Sequence, residues 1–426
     1  MNIESLYSIY QQYPVVVTDT RKLEKGCIFF ALKGGNFNGN SFALTALDNG
    51  AAYAIVDEDI DSSNERLIKV KDVLTTLQLL AKHHRQQFSI PFIAITGSNG
   101  KTTTKELVYT VLASHYTTYT TQGNLNNHIG VPLTLLSIHP DAQMAVIEMG
   151  ANHLHEIASY CEYALPNYGL ITNCGKAHLE GFGSEEGVKK GKGELFDFLR
   201  ANNGTAFIMS DYHYLQNMSK GICNVISYGI QSGTLQAKAN TVNGFLQVNF
   251  TQGFEMDCIQ TQLVGEYNLP NILAAVSIGI YFKVPAEKIK SAIENYAPTN
   301  SRSQLLKWKE NDVILDAYNA NPSSMKLAIE NFAKLNAAHK IVCIGGMKEL
   351  GNTSIEEHQQ LIHLLQESKW EQVVLVGGDF EHCKHDYLFF PTAVEAKVWL
   401  AAQNFKGRSI LIKGSRGIKM EQVLDL

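Results

Sequence analysis

The run Thr96-Gly97-Ser98-Asn99-Gly100-Lys101-Thr102-Thr103-Thr104 has the composition of a phosphate cradle. Gly97 and Gly100 let the backbone N–H groups of Ser98, Asn99 and their neighbours converge on phosphate oxygens, and a helix starting there adds its dipole. Lys101 can reach a β- or γ-phosphate, and the hydroxyl of Thr102, next to Thr103, can bind Mg2+. The spacing G-x-x-G-K-T is two residues shorter than the usual phosphate loop. A glycine-rich turn that only caps a helix is the bland alternative. A Lys and a Thr in register behind an apolar strand favour phosphate.

Such a loop needs a strand before it and a helix after it. Pro91–Ile95 is apolar and predicts the strand; Thr102 to Ser114 predicts the helix, with Leu107, Val108, Val111 and Leu112 on one face. Ala145–Glu148 and Gly169–Asn173 read as further strands, so the block is α/β with a mostly parallel sheet covered on both faces. An earlier block has β-like runs at Cys27–Leu32 and Ala52–Val56, a Gly/Asn-rich loop at 34–40 and a helix over Val73–Gln87. A later block repeats the α/β pattern, with strands at Asp312–Leu315, Lys340–Ile344, Gln372–Val376 and Ser409–Ile412, and a helix over Ile355–Gln366. Three domains are expected: 1–83, 84–297 and 298–426. Length agrees, because 426 residues exceed the ~250–300 at which one core stops growing.

Hydrophobic residues make up 45% and charged residues 18%, which excludes a disordered chain. A net charge of -5 provides no field for nucleic acid or an anionic membrane. The seven cysteines are scattered, with no C-x-x-C pair, which suggests reduced thiols rather than zinc or disulfides. Met1–Tyr13 lacks the apolar core of a signal peptide, and the apolar run Leu273–Phe282 is shorter than the ~20 residues of a membrane helix. A cytoplasmic protein without membrane insertion is expected.

The T-G-S-N-G-K-T-T-T loop resembles that of the Mur ligases and of their relatives, the folylpolyglutamate synthetases. Further segments match in order: Thr121–Leu135 (TQGNLNNHIGVPLTL), Val146–Asn152 (VIEMGAN), Asn173–Gly183 (NCGKAHLEGFG), Gly265–Ala275 (GEYNLPNILAA), Asp316–Met325 (DAYNANPSSM) and Lys413–Gly417 (KGSRG). The resemblance covers nearly the whole chain. It implies a fold of three α/β domains: one that binds a UDP-linked precursor, a central phosphate-loop sheet, and a Rossmann-like C-terminal domain that brings the amino substrate.

It also implies roles. Glu148 and His178 would be metal ligands beside Thr102, and two Mg2+ ions are implied. Lys192, fourteen positions beyond His178, would be carbamoylated and bind metal as a carboxylate. Asn268 and Asn271 would meet the adenine of ATP, Arg302 its γ-phosphate, and Asp316 would belong to the same ATP site. Thr20, Arg21, Asn38 and Asn40, then Asn124, Asn126 and Asn127, then Asn319 and Asn321, would contact substrates. The wording N-L-N-N-x-I-G-V-P-L-T-L, E-M-G-A-N and Y-N-A-N-P-S-S-M implies the branch that joins D-alanyl-D-alanine to UDP-N-acetylmuramoyl-tripeptide, and a monomer is expected. Two places depart from the pattern: Asn38-Gly39-Asn40 stands for Asp-Gly-His, and Gly345-Gly346-Met347 for Gly-Asp-Met.

Each residue also has a plainer reading. Glu148 could be a strand-end carboxylate and His178 a loop histidine. Lys192 could be a solvated lysine, with Lys189 and Lys190 as rivals for the modified position. Asn268 and Asn271 could cap a helix, and Arg302 could be a surface arginine. The reaction implied is attack of the tripeptide carboxylate on the γ-phosphate of ATP, then capture of the acyl phosphate by the dipeptide amine. Another Mur-type ligase, or a nucleotide-binding module without catalysis, are the alternatives.

Overall fold

The computed structural model describes residues 2–61, 63–299 and 301–424. Asn300, at the expected junction of the second and third domains, lies outside the described residues, as do the ends of the outer two domains, Met1, Asp425 and Leu426. Among the described residues the larger sheets have four, nine and six strands.

The four-stranded sheet runs Val16–Val17, Ile28–Phe30, Tyr53–Val56, Leu67–Lys69, all parallel. Its apolar runs Cys27–Leu32 and Ala54–Val56 are fully buried. The 34–40 loop contains a hairpin of Lys33–Gly34 with Phe37–Asn38. The helix Val73–Arg85 starts where the Asp72 carboxylate accepts the Thr75 N–H, and buries Leu77, Leu80 and Ala81 at helical spacing. At its end the Arg85 guanidinium donates to the carbonyls of Ala164 and Leu165, both at 2.9 Å, and lies 3.6 Å from the Phe92 ring.

The nine-stranded sheet carries Phe92–Thr96 third from one edge, between Tyr168–Ile171 and Met144–Glu148, with Thr118–Thr120 at that edge; these pairs are parallel. All five residues of Phe92–Thr96 are buried, as a strand covered on both faces requires. The helix after it, Lys101–Ala113, begins one residue earlier than its apolar face suggests, because Gly100 at φ 78° turns the chain straight into it. The far edge of this sheet was not foreseen. It is an antiparallel ribbon of Leu235–Val242, Phe245–Gln252 and Cys258–Gln260. Asn243-Gly244, with φ 52° and 84°, makes its tight turn, and this Asn-Gly pair was the available signal.

In the six-stranded sheet, Asn311–Asp316, Ser409–Lys413, Lys340–Gly345, Gln372–Val376 and Leu388–Phe390 are parallel, and Gln304–Trp308 closes one edge antiparallel. A Cβ at Gly346 would lie 2.6 Å from the Cα of Gly378, so the backbones touch where the family pattern has an aspartate. Parallel strands end together, which sets the Thr96, Glu148 and Ile171 ends side by side and turns the Asp316 and Lys413 ends toward the same cleft.

Candidate active site

The cleft between the nine- and six-stranded sheets has a volume of about 730 Å3. From the sequence candidates it gathers Ser98, Asn99, Gly100, Lys101, Thr102 and Thr103, then Asn124, Asn126, Asn127, Glu148 and His178. It also gathers Asn268, Asn271, Arg302, Asp316, Asn319 and Asn321. Residues as far apart in sequence as Ser98 and Asn321 thus face one space.

The loop is held from behind by the turn after Tyr168–Ile171. Ser98 N–H donates to Asn173 O at 2.8 Å, Asn99 N–H to Asn173 Oδ1 at 3.0 Å, and Thr172 Oγ1 to Asn99 O at 2.6 Å. Gly97 sits at φ 142° against Thr172. Gly100 has its α-carbon so near Asn271 that a Cβ would lie 2.6 Å from Asn271 Oδ1. That oxygen accepts the Thr104 hydroxyl, and Asn271 Nδ2 donates to Asn268 Oδ1 at 2.9 Å. Lys101 Nζ donates to Gly97 O at 2.7 Å and Ser98 O at 3.2 Å. Burial holds its pKa below the ordinary lysine value, opposed by Glu148 and reinforced by Arg302, so these charges share one field.

Glu148 is 1% exposed. Its Oε1 accepts Asn126 Nδ2 at 2.7 Å, while Oε2 is buried with no hydrogen-bond partner. An orphaned buried carboxylate oxygen is costly and fits a cation as the missing partner. Among the described residues no three His, Cys, Asp or Glu side chains converge as a metal cage. Mg2+ is usually held by one or two carboxylates together with substrate phosphates, which matches Glu148 and Thr102 beside a phosphate loop.

Lys192 lies outside the cleft lining, packed beneath it. It is 0% exposed, whereas Lys190 is exposed and Lys189 half-buried, so burial separates the three lysines. Its Nζ donates to Ala151 O at 2.8 Å and sits 4.9 Å from the Phe182 ring centroid. Burial, helped by the charge of Lys101, pulls its pKa down to about 7.

His178, at φ 52°, bonds through Nδ1 to Glu349 of the third block; this hydrogen bond holds the Glu349 carboxyl below its usual range. Asn321 caps the helix Pro322–Lys334 in a capping box with Ser324, and its Nδ2 donates to Asn99 Oδ1 at 2.7 Å, tying that helix to the phosphate loop. Asn319 Oδ1 accepts the Ala320 N–H, and Asn127 Oδ1 caps Gly130 at 2.8 Å. Arg302 lies flat on Tyr318, 3.6 Å from its centroid.

Thr20, Arg21, Asn38 and Asn40 stand apart in the first block, on the short helical turns 20–22 and 39–42 and the hairpin beside the four-stranded sheet, and none of them lines the cleft. Arg21 pairs with Asp19. Asn38 donates to Glu58 at 2.9 Å, and buried Asn40 donates to Asp57 at 2.8 Å.

Several lining residues had not been singled out. Ser324, Leu327, Asn331 and Lys334 recur at helical spacing and turn one face of Pro322–Lys334 into the cleft. That periodicity was visible, but not its destination. Lys413 opens the KGSRG motif. Its Nζ, buried to 2%, bonds Asp316 Oδ2 at 2.6 Å, with Asp316 at 14%. Removing one member of such a pair strands the other charge, so Asp316→Ala should lose about 3–5 kcal/mol of stability. Urea unfolding checks this; a loss below about 1 kcal/mol would mean that the pair is solvated.

The family described as Mur ligase middle domain matches residues 95–279, and the one described as Mur ligase, glutamate ligase domain, matches 301–416. The UDP-N-acetylmuramoyl-tripeptide--D-alanyl-D-alanine ligase of Bacillus subtilis (strain 168) is 34% identical over 428 residues, covering 96% of this chain and 92% of that one. MurF from Acinetobacter baumannii superposes with a TM-score of 0.86 at 30% identity, covering 96% of this chain and 92% of that one. MurF ligase from Thermotoga maritima in complex with ADP gives 0.87 at 27% identity, with 96% of both chains covered.

Proposed function

The chain belongs to the Mur ligase family, and from that premise we propose that it joins D-alanyl-D-alanine to UDP-N-acetylmuramoyl-tripeptide with ATP, in peptidoglycan precursor synthesis. The observation that carries this reading is the meeting, in one cleft, of the phosphate loop, the orphaned carboxylate of Glu148 and the Arg302–Asn321 face of the third block. Phosphoryl transfer to a carboxylate needs these parts: a cradle for phosphate, a cation site, and a second layer that brings the amine.

The tripeptide carboxylate oxygen attacks the γ-phosphorus, ADP leaves, and an acyl phosphate forms. The dipeptide amine attacks the acyl carbon, phosphate leaves, and the amine loses a proton. Both first reactants are anionic, so Lys101 and Arg302 offset their repulsion and orient the transferring group. Bound Mg2+ supplies Lewis-acid charge neutralisation; Thr102, Glu148 and His178 would hold it, together with Lys192 as a carbamate, and two ions are proposed. His178 is available for this once its bond to Glu349 opens. Asn268 and Asn271 hold the adenine end and Asp316 the ribose end, while Asn124, Asn126, Asn127, Asn319 and Asn321 line the approach of the two peptides. Residues 1–83, with Thr20, Arg21, Asn38 and Asn40, hold the UDP end, 84–297 hold ATP, and 298–426 carry the amine.

Cytoplasmic operation fits the free cysteines found among the described residues and the expected supply of ATP. No helix among the described residues is long and apolar enough to cross a membrane. A substrate panel tests the whole reading. Phosphate release should require both the tripeptide precursor and D-alanyl-D-alanine. Equal turnover with another amino acid in place of the dipeptide would move the chain to a different branch, and no turnover with any amine would leave a nucleotide-binding module.

A further inference from the structure

Lys105 is a buried cation that the reaction above does not use. It sits one helical turn after Lys101 on Lys101–Ala113 and is 1% exposed. Its ammonium pairs with Glu106 and donates to Thr121 O at 2.8 Å. Burying an ammonium is costly unless its bonds are made, and a well-packed apolar side chain often serves stability as well. The bonds it makes therefore ask for another explanation.

Thr121 is the first residue after the edge strand Thr118–Thr120, and it is fully buried. Its hydroxyl accepts the backbone N–H of Glu148 at 3.0 Å, and its own N–H donates to Val146 O at 3.2 Å. Five residues on, Asn126 closes the loop: Nδ2 donates to Glu148 Oε1 at 2.7 Å, and its carbonyl accepts Gly150 N–H at 2.7 Å. Lys105 is thus the side chain by which the helix bearing Thr102 grips the segment that frames Glu148 on two sides. Without that grip, Thr121 O loses a charged donor, and among the described residues no other hydrogen bond joins the Thr121–Asn126 segment to the phosphate-loop helix.

We propose that Lys105 is a positioning residue: through Thr121 it fixes the Glu148 carboxylate relative to the Thr102 hydroxyl, so that both present oxygen to one divalent cation. The inference rests on the reading of Glu148 and Thr102 as cation ligands. Partners of this kind, one shell behind the ligands, commonly govern metal affinity by about 10–100-fold.

The test uses Lys105→Met, close in length and without the charge, and Lys105→Arg, which restores a donor. Mn2+ binding to the full-length protein with ADP is read by electron paramagnetic resonance, beside the Mg2+ dependence of ligation. Lys105→Met should weaken Mn2+ and raise the half-saturating Mg2+ by about 10-fold or more, with the KM for D-alanyl-D-alanine unchanged. Lys105→Arg should recover most of both. Glu148→Gln is the control. If it leaves Mn2+ binding unchanged, the cation reading itself fails. If it weakens Mn2+ and a folded Lys105→Met does not, the positioning role is wrong. Should Lys105→Met not fold, Thr121→Val decides: it removes the hydroxyl that receives Glu148 N–H and keeps the side-chain shape. Weaker Mn2+ supports the inference, and unchanged Mn2+ overturns it.

Discussion

Lys101→Ala should abolish ligation and leave the fold intact. The side chain leaves the first turn of its helix and bonds only loop carbonyls, Gly97 O and Ser98 O. No core contact is lost, so a thermal melt should match the parent. The site loses one fixed positive charge beside the transferring phosphate. The effect is large there because the half-buried Lys101 ammonium faces the transferring phosphate directly, and charge–charge terms grow as water is excluded. Arg302 cannot replace it, being stacked on Tyr318 in the facing block. Electrostatic groups at a transferring phosphoryl group are worth about 10^3-fold or more in rate, so amide formation should fall by several orders of magnitude. Near-normal ligation by a folded variant would remove the phosphate-loop assignment.

The second large effect is expected at Lys192. On the proposed reading of Lys192 as a metal ligand, an ammonium there would repel Mg2+, whereas a carbamate would be a hard oxygen ligand. The local physics favours the change: CO2 reacts with a neutral amine, and burial first, then the Lys101 charge, pulls the pKa of Lys192 down to about 7. Carbamoylation releases a proton. It is therefore favoured as pH rises above about 7 and lost as pH falls below it, where the ammonium takes over. Lys192→Ala should lose ligation by orders of magnitude, with part returned by acetate or formate, which can occupy the space with a carboxylate. Lys192→Glu should retain a little. Carbon-13 NMR with labelled bicarbonate should show a carbamate signal in the parent that is absent from Lys192→Ala and fades below neutral pH. A variant that ligates like the parent at ordinary Mg2+ would refute the assignment. An inactive variant, with no carbamate signal in the parent, would refute the modification alone.

What the chain announces by itself is what short-range physics decides. The phosphate loop is legible because strand, turn and helix start lie within a dozen or so neighbours, and Gly100 and Lys101 have few other reasons to stand in that order. The apolar runs at Phe92–Thr96, Met144–Glu148, Lys340–Gly345 and Gln372–Val376 could be read as buried strands because both their faces are covered. The antiparallel ribbon of 235–260 was missed since its strands are half-exposed and mixed in composition, with burial alternating only loosely, and only Asn243-Gly244 betrays it.

Tertiary structure alone decided the rest. Lys189, Lys190 and Lys192 are three like residues within one helical turn. Only the packing of Ala151 and Phe182 over that helix selects Lys192 for burial. The link of His178 to Glu349 spans 171 positions and that of Asn99 to Asn321 spans 222, and neither has a periodic or local trace. Glu148 reads in sequence as a strand end. That one of its oxygens is orphaned depends on where Asn126 and Thr121 fold back. Local propensity writes elements into a chain residue by residue. A site is a meeting of their ends, set by how sheets stack and which side chains close the gaps, and that information exists only in three dimensions.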